Sequence, residues 1–127
     1  MSHITNQDRF NLLADSVIHR EKEVFSYQIN IDNYTTMIAS MGDLTLPADL
    51  AQYEGKKSHE LPMTLTEAQV QTVTDYNYLQ QLKAALRTEK VEQGKTQRIL
   101  DAVKSQIPAD QYETLIADAI ARMEASV

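Results

Sequence analysis

FNLLADSVIHREKEVFSYQINIDNYTTMIASM, residues 10–41, decides the fold. Read in alternating steps of three and four, it gives Phe10, Leu13, Val17, Arg20, Val24, Tyr27, Ile31, Tyr34, Ile38 and Met41. Nine of these ten positions are apolar or aromatic, and the exception is Arg20. A 3-4 repeat held this long without a slip is the pattern of a helix that buries a narrow stripe against another helix. Thr5 or Asn6 can cap its start, and Asp8 puts an acid in the first turn, where the helix dipole favours one. Gly42 follows the last seam residue, in place for a left-handed stop. The expected helix covers about 5–41 and is about 55 Å long.

Beyond it, residues 42–65 read as a connection. Leu46-Pro47 and Leu61-Pro62 mark breaks, because proline disfavours helix in the residue before it. Pro47 can open a short helix over about 47–53, ended by Gly55. Thr66-Glu67-Ala68-Gln69 has the form of a capping box and starts a second long helix over about 66–106. Its seam runs Leu79, Leu82, Leu86, Glu89, Gln93, Thr96, Leu100, Val103 and Ile107, with Val70, Val73 and Tyr76 extending it forward. Gly94 falls in the polar middle of this seam, weakens the helix by about 1 kcal/mol relative to alanine and is a candidate kink. Pro108 opens a third helix over about 108–125, with Tyr112, Leu115, Ile116, Ala119, Ile120 and Met123 on one face.

The expected fold is therefore all-α, one helical domain over 1–127. It is a long antiparallel, coiled-coil-like hairpin with a shorter C-terminal helix, assembling into an oligomeric bundle. Folding the first two helices back on each other across 42–65 sets Met41 near residue 67. That register brings Arg20 beside Glu89, a seam polar pair in which each charge would compensate the other. Leu12, Ile18, Phe25 and Ile29 lie off the strict seam and widen the apolar face of helix one. Either the third helix or a second chain can cover that extra face.

Composition excludes more chemistry than it supplies. The 127 residues contain no cysteine, so disulfides, thiolate metal sites and cysteine nucleophiles are absent. Only three glycines are present, too scattered for a phosphate loop. His3, His19 and His59 sit in different settings. His19 and Glu23 are four apart on one helix face, but the Glu-x-x-His pairs of bundle metal sites are missing. No catalytic residue, cofactor or metal is expected. The start of the chain lacks the basic and apolar blocks of a signal peptide, and no window suits a membrane span, so a cytoplasmic protein is expected.

With a net charge of −6, nucleic acid is not the expected partner. Lys83, Arg87, Lys90 and Arg98 do form one stripe of helix two, a docking strip for an acidic partner or a solvated face met in cis by acidic residues of 110–124. Tyr27, Tyr34 and Tyr76 fall at core spacing, whereas Tyr78 lies off the seam as a surface candidate. The interaction candidates are thus Tyr78, Lys83, Arg87, Lys90, Arg98, Phe25 and Ile29. In class the chain resembles small accessory proteins of phages and other mobile elements. With no site chemistry but more apolar helix face than a hairpin alone can bury, the expected function is a non-enzymatic interaction module, an inhibitor or adaptor of a host macromolecule. The alternative is a self-assembling structural bundle with no foreign partner, and the partner is accordingly another protein or a second copy.

Overall fold

Two reciprocal capping boxes start the long helices. Thr5 accepts from the Asp8 amide on its hydroxyl at 3.0 Å, while its own amide donates to the Asp8 carboxylate at 3.2 Å. Thr66 and Gln69 repeat the arrangement at 3.1 and 2.8 Å. Each box satisfies amides that the first helical turn leaves without partners. A computed structural model of the chain describes residues 5–126. It holds α1 (Asn6–Met41), α2 (Glu67–Ser105) and α3 (Tyr112–Ala125), with 3-10 turns at Ala48–Tyr53 and Ser58–Glu60 between α1 and α2. No strand occurs among the described residues. The long helices α1 and α2 pack against each other as an antiparallel hairpin, and α3 is the shorter element. None of the helices is long and apolar enough to cross a membrane among the described residues.

The chain divides into two compact units. The first comprises residues 5–29 and 90–126: the start of α1, the end of α2, and α3. Its core is Ala14, Val17 and Ile18 from α1, Leu100 with Ile107 just past the end of α2, and Leu115 and Ala119 from α3. Burying an aliphatic side chain of this size contributes about 1.5–3 kcal/mol, so these few residues dominate the unit's stability. Arg122 on α3 donates to Asp15 on α1 at 2.8 Å, and Lys104 on α2 lies 3.5 Å from Glu21. Both pairs are partly solvated and worth at most about 1 kcal/mol each. The turn before α3 differs from expectation. Pro108 does not begin the helix; Gln111 donates back to the Pro108 carbonyl at 3.0 Å, closing a turn, and helix proper starts at Tyr112.

The second unit comprises residues 30–89. Along its stretch of α1, Ile31 is buried and Tyr34, Ile38 and Met41 are half-buried, while every other residue from 30 to 41 is exposed. The heptad seam is therefore the whole of the buried stripe here. Val73, Leu79 and Leu82 of α2 and Leu50 of the connection are the unit's other buried apolar side chains among the described residues. Gly42 and Gly55 take the left-handed conformation, with φ of 71° and 79°, and end α1 and the first 3-10 turn.

The expected Arg20–Glu89 pair is not made. Asn30 meets the Glu89 carboxylate, donating its side-chain amide at 3.2 Å, and Arg20 instead engages Glu23 one turn along α1, also at 3.2 Å. The register is thus displaced by the ten residues from Arg20 to Asn30, about 15 Å of helix. The cause lies in the connection, which packs alongside the opening turns of α2. Tyr76 donates its hydroxyl to Glu54 at 3.2 Å, and the Asn77 side chain holds both the Gly55 amide and the Lys56 carbonyl. These turns of α2 are occupied by the connection and do not face α1. At Gly94, considered above as a kink site, the helix is not interrupted: α2 runs from Glu67 to Ser105.

Candidate interaction surface

A second 3-4 progression on α1 positions the site. Ala14, Ile18, Glu21, Phe25 and Gln28 follow one another beside the main seam. The first two are buried in the core shared with α3. Past them the cover ends: Ile120, Met123 and Glu124, in the closing turns of α3, lie beside Ile18 and Lys22. Glu21, Phe25 and Gln28 therefore line an open groove of about 370 Å³ between α1 and α2. The opposite wall carries a matching progression on α2, Gln93, Gln97, Leu100 and Lys104, with Val24 on the α1 side. Leu100 belongs both to the core under α3 and to this groove, so the groove continues the seat that α3 occupies.

The groove mixes apolar side chains, Val24, Phe25 and Leu100, with the amides of Gln28, Gln93 and Gln97. Phe25 is 66 % exposed and Ile29, one turn on, 45 %. On the α2 side, Gln93 donates to Gln28 at 2.8 Å and reaches the Val24 carbonyl at 3.4 Å, and Gln97 donates to Asp101 at 3.0 Å. The Glu21 carboxylate is compensated by Lys104. The lining thus combines an exposed aromatic ring with side-chain amides held by hydrogen bonds and one ion pair.

The other expected residues are dispersed. Lys90 and Arg98 are exposed on α2 in the first unit, and Arg87 is exposed in the second. Lys83 is half-buried beside Leu44, Glu54 and Tyr76, where a hollow of about 420 Å³ opens in the second unit. None of these four cations forms an ion pair among the described residues. Acidic residues of α3 do not meet them in cis; the bridge from α3 is made by its one cation, Arg122. Tyr78 is exposed and shares a cleft of about 260 Å³ with Lys56 and Lys57 of the connection. Tyr27, Tyr34 and Tyr76 are half-buried. Leu12 is exposed, whereas Ile18 is buried, so α3 covers only part of the widened face.

His19 lies 2.8 Å from Glu23, which also accepts from Arg20. The Arg20 Nε is buried with no hydrogen-bond partner among the described residues. No group of three or more histidine or acidic side chains gathers to hold a metal ion among the described residues, and His3 lies outside them.

Tyr76 has a raised proton affinity. Loss of solvent raises its phenol above the ordinary 10.0, and the Glu54 carboxylate, accepting the proton and repelling the phenolate, raises it further.

The groove escaped the sequence reading, which singled out Phe25 and Ile29 but not Gln93, Gln97 or Lys104. The signal was present as the pair of matching 3-4 progressions on α1 and α2. No family model, curated protein or solved structure matches this chain.

Proposed function

We propose that the chain is a non-enzymatic protein-interaction module that docks another protein through the Phe25–Ile29 face of α1, as an inhibitor or adaptor does. The observation that carries this reading is the exposure of Phe25 in phase with buried Ile18. Isolated exposed apolar residues are ordinary on a protein surface. Here Phe25 extends a buried stripe at the heptad position of Ile18 and lines a groove, and Ile29 adds an exposed apolar side chain one turn on. Covering Phe25 and Ile29 would contribute up to about 1.5–3 kcal/mol each, the scale of an interface hot spot.

Affinity capture of the tagged chain from its source cell, at moderate salt and with nuclease, tests it beside a Phe25→Asp variant. A foreign protein recovered in stoichiometric amount by the parent chain and lost with the variant supports the reading. Recovery of the chain's own copies alone, again dependent on Phe25, would replace it with a self-assembling bundle.

A further inference from the structure

Gly55-Lys56-Lys57-Ser58 puts two cations and a hydroxyl in a row in the connection. On α2, Thr74, Tyr78 and Gln81 recur at steps of four and three and so share one face of the helix. Asn77 joins the two stretches, accepting from the Gly55 amide and donating to the Lys56 carbonyl. Together they line the cleft of about 260 Å³ in the second unit. We infer that this cleft binds the phosphate dianion of a small phosphate monoester. The site is separate from the Phe25–Ile29 face, which lies in the first unit.

The lining selects an anion. It holds two ammonium groups and the hydroxyls of Ser58, Thr74 and Tyr78, and no carboxylate. That is not the average of this chain, which has 18 acidic residues against 12 basic ones. Neither Lys56 nor Lys57 forms an ion pair among the described residues. Carboxylates close by in sequence are engaged elsewhere. Glu54 accepts from Tyr76, Glu60 from the Lys57 amide at 3.1 Å, and Asp75 from the Gln71 side chain at 2.6 Å.

The charge of the pair selects which anion. A phosphate monoester carries about −1.5 to −2 at neutral pH and offers three acceptor oxygens. Two lysines balance that charge, whereas a single carboxylate would leave one of them uncompensated. Lysine meets phosphate as a point charge and needs no fixed fork, so exposed ammonium groups suffice. Hydroxyls supply the directed donors. The backbone that carries both lysines is already tied to α2 by Asn77, which lowers the cost of ordering it around a ligand. Tyr78, 44 % exposed, adds an aromatic ring for the esterified group.

Amide chemical shifts of the full chain, titrated with inorganic phosphate or phenyl phosphate at constant ionic strength, test this. The expected result is a saturable response at residues 56–58 and 74–81, with phenyl phosphate about three- to tenfold the tighter ligand. Tyr78→Ala removes that advantage. Joint Lys56→Gln and Lys57→Gln substitution weakens both ligands about tenfold or more, while Lys22→Gln, an exposed cation of the first unit, changes nothing. Lys56 and Lys57 are exposed, so an unchanged helical melting curve is the folding control. Shifts that never saturate, that sodium chloride reproduces, or that survive the double lysine variant overturn the inference. Equal affinity for the two anions overturns the monoester and leaves free phosphate as the occupant.

Discussion

Ile18 and Phe25 stand one heptad apart on the same face of α1, yet Ile18 is 7 % exposed and Phe25 66 %. The helix does not change between them; the cover does. α3 reaches Ile18 and Lys22 and stops. Truncating the two side chains should therefore have unequal effects. Ile18→Ala should cost about 2–4 kcal/mol in a denaturant melt, by lost burial and a cavity. Phe25→Ala should stay within about 0.5 kcal/mol. Equal losses would mean that Phe25 is covered in the free protein.

The register of α1 on α2 can be measured through Asn30 and Glu89. A double-mutant cycle with both changed to alanine should give a coupling of about 0.5–1 kcal/mol, the worth of a hydrogen bond to a charged group in partial solvent. The same cycle on Arg20 and Glu89 should give none, because Arg20 spends its guanidinium on Glu23. Coupling in the second cycle and none in the first would shift the helices back by the ten residues that separate Arg20 from Asn30.

Gly94 lies inside α2, and a Cβ added there meets nothing within 4 Å. Gly94→Ala should raise stability by about 1 kcal/mol through helix propensity and the narrower unfolded ensemble. A thermal melt shifted downward would show that the backbone there is not ordinary helix.

Much of this architecture is legible in the residues alone. The capping box at Thr66, the glycine stop at Gly42 and the seam of α1 are local patterns, each set by neighbours within a turn or two, while at the start of α1 the sequence offered Thr5 or Asn6 as the cap and the structure uses Thr5 with Asp8. The register was not legible, because the sequence does not say that Asn77 and Tyr76 will be used to hold the connection. Once they are, the opening turns of α2 are unavailable to α1. The groove was half legible: Phe25 and Ile29 stand out by type, but their exposure depends on where α3 ends against α1. The start of α3 shows the same limit, since Pro108 is compatible with both a first helical turn and the separate turn that forms.

Asn77 holds the connection by two bonds, accepting from the Gly55 amide at 2.8 Å and donating to the Lys56 carbonyl at 3.0 Å. Asn77→Ala should free the Lys56-Lys57 segment. Trypsin cleavage there should accelerate about tenfold, the factor that loss of 1–2 kcal/mol of local stability implies. An unchanged cleavage rate would show that the segment is held by other contacts.

Tyr76 makes the same region sensitive to alkali. Its phenol, protonated and donating to Glu54, has a raised proton affinity in the folded chain. The stability this contributes is complete below the ordinary value of 10.0 and is lost as pH climbs through the higher folded value. Urea melts between about pH 8 and 11 should show the alkaline decline of the parent chain flattened in Tyr76→Phe. A decline of equal steepness in both would remove Tyr76 from the account.

The most direct test of the central claim is photo-cross-linking in the source cell, with a benzophenone amino acid placed at Phe25 in one chain and at Ile99, exposed on α2, in another. The account predicts a foreign protein cross-linked from position 25 and not from position 99. Cross-links from position 25 to copies of the chain alone, or the same products from both positions, would contradict it.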